Sequence, residues 1–314
     1  MAKKFFQLNI FSQCKKYRIP LWQCPQFLFV VMSLVIMFSS ITFYAIGEHY
    51  VTDPRIVAFA VLAVSMVLFI IAFIITHSFE NLAEANRMKT EFVNIVSHQL
   101  RTPLTNLRWA TQALLSEDFN VSEKEQNIEY FDIIKENSAR MENLIDDLLT
   151  ITRLREGRAD NKKSKVSLMT ITKEVISERE SAAKISNIQL ELKPSKGLPD
   201  VFVSHPLIKI VIENLINNAI NYSKGGGNIF IELKVLGKQV RFQIEDRGIG
   251  IPIEDQKRIF QKFFRARNAI RAEVYGTGLG LFIIKLILDR MNGKVWFVSK
   301  KDKGSTFYFT LPIA

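Results

Sequence analysis

Two sets of residues in this sequence have types and spacings suited to the chemistry of a phosphoryl group. The first is Ser97-His98-Gln99-Leu100-Arg101-Thr102-Pro103. A free imidazole is largely neutral near pH 7 and can attack phosphorus. The second is Gly276-Thr277-Gly278-Leu279-Gly280-Leu281, which opens an apolar helix where free backbone N–H groups can hold phosphate oxygens. The sequence therefore combines a candidate phosphoryl acceptor with a candidate phosphate-binding loop.

The helix that carries His98 is predicted to pair with other helices. Its apolar stripe follows steps of four and three residues: Leu100, Leu104, Leu107, Thr111 and Leu114. At 100° per residue, His98 lies about 160° from Leu100 and faces away from that stripe. Thr102, one turn later, shares the outward face. Pro103 removes a backbone hydrogen bond and is expected to bend or loosen the helix.

A second amphipathic helix is predicted to follow. It begins with Ser122-Glu123-Lys124-Glu125, the pattern of a capping box. Its stripe consists of Phe131, Ile134, Ser138, Met141, Ile145 and Leu148. Two antiparallel helices with one stripe each cannot bury both stripes alone, whereas two copies can do so in a four-helix bundle. We therefore expect a homodimer.

Two uncharged segments near the N-terminus predict a membrane anchor. Phe27–Ile46 and Ile56–Ile75 each contain twenty residues without a charge, enough to cross the hydrocarbon core of a bilayer. Both are longer than the apolar region of a signal peptide. Residues 1–26 are basic, with no Asp or Glu. This predicts a cytoplasmic N-terminus, a short external loop and a cytoplasmic remainder, in a multi-pass protein of the plasma membrane.

The charge and the cysteines argue against other classes. The net charge is +11, and Lys3, Lys4, Lys15, Lys16 and Arg18 supply +5 of it. A basic run followed by two apolar spans predicts contact with anionic membrane lipid, so no nucleic-acid partner is expected. Cys14 and Cys24 form no disulfide framework and lack the spacing of metal ligands. We interpret both as incidental.

The C-terminal half mixes strands and helices in groups, which favours a two-layer α/β sandwich over a doubly wound sheet. The predicted strands are Val166–Met169, Asn187–Leu192, Asn228–Val235, Gln239–Glu245, Lys294–Val298 and Ser305–Leu311. The predicted helices are Thr170–Lys184, Pro206–Tyr222 and Leu279–Met291. The whole chain is then a basic N-terminus (1–26), two transmembrane helices (27–76), a helical hairpin (77–156), a linker (157–165) and the sandwich (166–314).

The segment around His98 resembles a known motif. Phe92-x-x-x-x-Ser97-His98-x-Leu100-Arg101-Thr102-Pro103-Leu104 closely resembles the phospho-acceptor box of bacterial sensor histidine kinases of two-component systems. The resemblance implies that His98 accepts the phosphoryl group and that Thr102 assists dephosphorylation of the partner. The family usually has Glu or Asp after the histidine as a general base, whereas Gln99 cannot act as one. Gln99 can still hold the imidazole tautomer, so we expect a working but slowed kinase.

Further segments resemble the ATP-binding domain of the same family, called the Bergerat fold. Glu213-Asn214-Leu215-Ile216-Asn217-Asn218-Ala219 resembles its N box, in which Asn214 and Asn218 share one helix face. The resemblance implies that Asn218 holds Mg²⁺ between the phosphates through a neutral oxygen. It also implies that Tyr222 lies along the adenine. Asn221 stands where the family commonly has Lys, which leaves one phosphate contact in doubt.

The other boxes follow in the family's order. In Asp246-Arg247-Gly248-Ile249-Gly250-Ile251, the resemblance places Asp246 on the adenine amino group, and Gly248 and Gly250 let the backbone approach the base. Ile259–Arg265 resembles the mobile F box, with Arg265 reaching phosphate. Gly276, Thr277, Gly278, Leu279 and Gly280 would cradle the phosphates. Gly304-Ser305-Thr306-Phe307 resembles the last glycine box and places Thr306 near the nucleotide.

The resemblance implies an ATP- and Mg²⁺-dependent kinase that passes its phosphoryl group from His98 to an aspartate of a response regulator receiver domain. Only 22 residues separate Ile75 from His98, so sensing is expected within the membrane or through a membrane partner protein. Three alternatives remain: a kinase that is merely constitutive at the membrane, a membrane-anchored nucleotide-binding interaction protein, and a gyrase-like ATPase. The ATPases use Glu to activate water where this chain has Asn214.

Overall fold

Two long apolar helices open the part of the chain that the structure, a computed structural model, describes. The described residues are 25–51, 53–115, 124–156, 162–193, 197–223, 225–272, 274 and 276–314. Helix α1 is Pro25–Tyr50 and α2 is Pro54–Leu115. By length and composition, both are able to cross a membrane. The basic N-terminus with Cys14 and Cys24, and the predicted cap residue Ser122, lie outside the described residues.

The contacts divide the chain into two units, residues 1–98 and 99–314. In the first unit, α1 and α2 pack through small residues. Ser40 Oγ and Ser65 Oγ are 2.6 Å apart and share a hydrogen bond. A side chain at Gly47 would meet Val57 at 2.6 Å, so the glycine allows the two helices to approach closely. Most other large apolar side chains of these two helices are exposed.

The second unit begins with a helical hairpin formed by the end of α2 and by α3 (Lys124–Arg155). Pro103 lies inside α2, and the helix continues beyond it. Asn106 Nδ2 donates to Asn137 Oδ1 across the hairpin at 3.2 Å. Several predicted stripe residues are nonetheless exposed in the single chain, at 57% for Leu104 and 61% for Phe131. A second copy of the hairpin would cover them.

The remainder is the predicted two-layer sandwich. Its strands are β1 (Ser164–Val166), β2 (Ile188–Lys193), β3 (Val201–Val203), β4 (Gly227–Leu236), β5 (Gln239–Asp246), β6 (Lys294–Ser299) and β7 (Ser305–Pro312). Its helices are α4 (Leu168–Ile185), α5 (His205–Tyr222), α6 (Ile253–Gln256), α7 (Arg267–Arg271) and α8 (Gly280–Arg290). Five strands form a mixed sheet in the order β2-β4-β5-β7-β6, and β1 pairs with β3 separately. Only β2 and β4 run parallel.

The core lies between the sheet and helices α4, α5 and α8. Buried side chains alternate along β4 and β5, as one covered face requires. Phe242 of β5 stacks on Phe309 of β7 with ring centroids 4.8 Å apart. Helix α5 buries its apolar face every three or four residues, including Ile208, Ile212 and Ile216. Its asparagines are therefore left on the opposite side of the helix.

Two sequence predictions were wrong at the start of the sandwich. Val166–Met169 was predicted as a strand, but only Val166 is in one. Ser167 Oγ accepts the N–H of Thr170 at 3.4 Å and caps α4, so helix begins directly after it. The strand β3 was not predicted, because three residues carry too little pattern. Ser164 and Lys165 of the predicted linker belong to β1.

Candidate nucleotide-binding site

A pocket at the end of β5 is built around one buried carboxylate. Asp246 is 6% exposed, and its Oδ1 accepts the N–H of Gly248 at 2.9 Å and of Ser305 at 3.2 Å. The structure gives its Oδ2 no hydrogen bond from the described residues. Ile249, Ile251 and other apolar side chains line the same pocket. The pocket thus offers one oriented acceptor in an apolar slot, which suits a flat base with an amino group.

Burial changes the charge of this carboxyl. Loss of water around Asp246 raises its pKa to about 6, and the two backbone hydrogen bonds limit the rise. The carboxylate is therefore the major form at pH 7, and it can accept a hydrogen bond from a ligand. The turn after β5 helps to hold the carboxylate in place, since the backbone N–H of Gly248 is one of its two donors.

A groove continues from this pocket along helix α5. Asn218, Tyr222 and Arg265 line both cavities, so the two are continuous. The groove has a volume of about 350 Å³ and is also lined by Asn214, Asn217 and Asn221. The amide of Asn214 donates to the carbonyl of Ile210 at 2.9 Å. The amide of Asn218 has no hydrogen-bond partner within the described ranges, so its oxygen is available to a ligand.

The glycine-rich loop before α8 forms the other wall of the groove. Gly276, Thr277, Gly278 and Gly280 all line it. Leu279 does not, because its side chain is fully buried in the core. Its backbone N–H donates to Thr277 Oγ1 at 3.2 Å. The role predicted for Leu279 is thereby restricted to its backbone.

Strand alternation moves one predicted site residue away from the pocket. Thr306 lies between Ser305 and Phe307 on β7, and only those two neighbours line the pocket. Successive side chains of a strand point to opposite faces, and Thr306 is on the face that the helices do not cover. The structure therefore does not bring the Thr306 side chain into the pocket, and Ser305 is the residue of this box that contacts Asp246.

Helix α3 contributes a residue that the sequence did not indicate. Asp147 lines the groove, and its Oδ2 accepts the hydroxyl hydrogen of Thr277 at 2.7 Å. Burial raises the pKa of the Asp147 carboxyl, and the bond from Thr277 opposes the rise. Arg265, from the predicted lid, donates to the carbonyl of Val274. No motif marks Asp147, since its partner is 130 residues away.

The predicted phospho-acceptor residues lie on α2. His98 and Thr102 are exposed, and Gln99 is half-buried. The exposure of His98 agrees with the helical phase predicted from Leu100. An exposed imidazole on a helix is accessible to a partner or substrate from outside the hairpin.

Comparison with known proteins identifies both regions. Residues 88–157 match the His Kinase A (phospho-acceptor) domain. Residues 204–314 match the histidine kinase-, DNA gyrase B- and HSP90-like ATPase family. The chain belongs to the sensor histidine kinase family. The two matched domains are the hairpin that carries His98 and the sandwich that carries the groove.

Curated relatives of this chain are larger proteins. Drug sensory protein A of Synechocystis is 31% identical over 240 residues, covering 73% of this chain and 36% of the relative. The signal transduction histidine-protein kinase BarA of Escherichia coli is 32% identical over 231 residues, which cover 72% of this chain and 25% of BarA. The sensor protein kinase WalK of Staphylococcus epidermidis is 30% identical over 240 residues, which cover 76% of this chain and 39% of WalK. The chain thus spans well under half the length of these relatives.

Solved structures show the same fold. The Acinetobacter baumannii histidine kinase AdeS superposes with a TM-score of 0.56 at 24% identity, covering 69% of this chain and 98% of that one. The histidine kinase ThkA, in complex with the response regulator protein TrrA, superposes with a TM-score of 0.58 at 24% identity, covering 74% of this chain and 64% of that one.

Proposed function

We propose that this chain is an ATP-dependent protein-histidine kinase that phosphorylates His98 and passes the group to an aspartate of a response regulator. One observation carries the proposal. A buried acceptor at Asp246 and an amide-lined groove at Asn218 are continuous, in a chain whose hairpin presents an exposed histidine. The adenine binds at Asp246, and the triphosphate extends along the groove beneath the glycine-rich loop.

The proposed step is an in-line displacement at phosphorus. A neutral ring nitrogen of His98 attacks the terminal phosphorus of ATP, an N–P bond forms, and the bond to the bridging oxygen of ADP breaks. The ring proton passes to water, because Gln99 has no basic group. Positioning and charge stabilisation supply most of the acceleration in phosphoryl transfer. The attacking histidine belongs to the same copy or to its partner.

Magnesium fits the residues of the groove. Within the described residues no group of three or more His, Cys, Asp or Glu side chains could hold a metal ion by itself. Mg²⁺ usually keeps several waters and binds through substrate phosphates. We assign Asn218 as the protein ligand, since its amide oxygen is available in the groove. The ion supplies charge neutralisation on the phosphates.

Partners and location complete the proposal. The exposed stripe of the hairpin supports a homodimer, and the response regulator bound to ThkA supports a receiver domain as the partner. The two apolar helices support a plasma-membrane anchor in contact with lipid, with the kinase domains cytoplasmic. The short interval between α1 and α2 supports sensing within the membrane or through a membrane partner protein.

The chemistry of the label distinguishes this function from its alternatives. The full chain in detergent micelles is incubated with Mg²⁺ and ATP labelled in the γ position. Label on the protein that is lost in acid and retained in alkali supports the kinase. Release of free phosphate without labelled protein would indicate an ATPase. Binding of ATP with neither product would indicate a nucleotide-binding interaction protein.

ATP affinity is expected to fall in mild acid. The adenine amino group donates to the Asp246 carboxylate, whose pKa is raised to about 6 by burial. Protonation below that pH removes the acceptor, so the affinity falls about tenfold for each further pH unit. Calorimetric titrations between pH 7 and 5 measure it. In Asp246→Asn, ATP affinity is expected to show only the smaller fall that comes from protonation of the ATP phosphates. If affinity fell equally steeply with pH in both proteins, Asp246 would not be the acceptor of the adenine amino group.

A carboxylate after the phospho-acceptor is expected to accelerate the kinase. Gln99→Glu supplies a general base beside His98, and such bases contribute about 10²-fold or more. Initial rates of labelling at saturating ATP measure the gain, and unchanged ATP affinity serves as the control. Matching rates for Gln99→Glu and the parent would show that the base is dispensable in this chain.

A further inference from the structure

One cation of the groove is not explained by any motif. Arg179 lies on α4, is half-buried and lines the groove beside Asn214 and Asn217. Its Nε is buried without a hydrogen-bond acceptor. Among the residues that the structure describes, no side chain forms an ion pair with it. A buried donor without a partner is unfavourable, so a ligand that supplies acceptors here would be bound well.

The glutamates of α4 on either side of Arg179 are paired with other cations. Glu174 and Glu178, from the same face of α4, bind Lys209 Nζ at 2.6 and 2.7 Å. Glu180 binds Lys184 at 2.7 Å. None of these three carboxylates is paired with Arg179, which lines the groove.

The ion pairs of Lys209 on α5 with Glu174 and Glu178 on α4, directly before Arg179, place this arginine beside the N-terminal half of α5. Burial raises the pKa of Glu213, and the nearby charge of Arg179 opposes the rise, yet the two form no ion pair. Arg179 thus lies level with Asn214, whereas the adenine pocket is lined by Asn218 and Tyr222 of α5. Four to eight residues of helix separate these levels, a rise of about 6 to 12 Å. Arg179 lines the groove and is not among the residues lining the adenine pocket.

We propose that Arg179 binds the terminal phosphate of ATP and makes the site prefer ATP over ADP. The inference rests on the proposed function. The guanidinium matches phosphate oxygens with two parallel hydrogen bonds. The amides of Asn214, Asn217 and Asn221 are neutral, and Asp147 is acidic, so the groove needs a cation at this end. Asn221, one turn from Asn217 on the groove wall, provides none.

Nucleotide affinities test the role of Arg179. The full chain in detergent micelles is titrated calorimetrically with ATP and with ADP in the presence of Mg²⁺. Arg179→Ala is expected to weaken ATP binding by about 10- to 100-fold and ADP binding far less. Arg179→Lys keeps the charge but lacks the two parallel donors of a guanidinium, so its ATP affinity is expected to lie between those of the parent and Arg179→Ala. Lys173→Ala is the matched control, because it removes an exposed cation from the same helix and should change neither affinity.

A compensating change separates phosphate binding from folding. Arg179→Ala combined with Asn221→Lys places a cation at another position in the same groove, on α5, and is expected to recover part of the preference for ATP. If the parent is labelled on His98 but Arg179→Ala keeps the parent's ratio of ATP affinity to ADP affinity, the inference about Arg179 is wrong and the kinase proposal stands. If the parent binds no ATP, both fail. Equal losses for ATP and ADP would exclude the terminal phosphate.

Discussion

His98→Gln is expected to take up no phosphoryl group from γ-labelled ATP, while its ATP affinity stays that of the parent. Glutamine fills similar space and hydrogen-bonds, but its amide nitrogen is not nucleophilic, so the N–P bond cannot form. The side chain is exposed on α2, and the replacement leaves the helix and its packing intact. Labelling followed by gel electrophoresis measures the loss, which should reach the detection limit.

His77→Gln is the matched control for this variant. His77 is an exposed histidine on the same helix α2, and it lies outside every motif. Its replacement should leave the label unchanged. Persistent labelling of His98→Gln would place the phosphoryl acceptor elsewhere and overturn the proposed function. Loss of label in both variants would show that substitutions on this helix disrupt labelling in general, and the result would no longer identify His98 as the phosphoryl acceptor.

The sequence was most informative where the chemistry is local. The N-box asparagines recur at helical spacing on a helix whose opposite face is apolar, so both the helix and its polar face were predictable. The glycine-rich loop was also predictable, because it is contiguous with the apolar start of α8. The phase of His98 against Leu100 correctly predicted its exposure. In each case, periodicity and residue type act within a few turns.

Features that depend on distant packing were not predictable. Asp147 reaches Thr277 across 130 residues of chain, and no pattern near either residue indicates that contact. Arg179 enters the groove because α4 packs on α5, which periodicity cannot specify. The glycine box that contains Thr306 identified the right turn. Which side chains of β7 face the pocket is set by its pairing with β5, which places Ser305 against Asp246.

Gly250→Ala is expected to destabilise the ATP-binding sandwich by about 2–5 kcal/mol. Gly250 has φ +59°, and an added Cβ would lie 2.1 Å from the carbonyl oxygen of Lys300. That contact involves backbone, which cannot rotate away, so the turn after Asp246 would have to shift. Calorimetric unfolding of the full chain in detergent micelles measures the effect, and ATP binding should weaken with it.

Gly237→Ala separates the two causes of that loss. Gly237 has φ +58° in the β4–β5 turn, with nothing within 4 Å of an added Cβ. It therefore carries the same backbone strain without the clash, and about 1–2 kcal/mol is expected. The difference between the two variants measures the energetic effect of the close approach of the Lys300 backbone to the turn after Asp246. Equal losses would mean that this turn adapts freely, and the close packing beside Asp246 would then not depend on glycine.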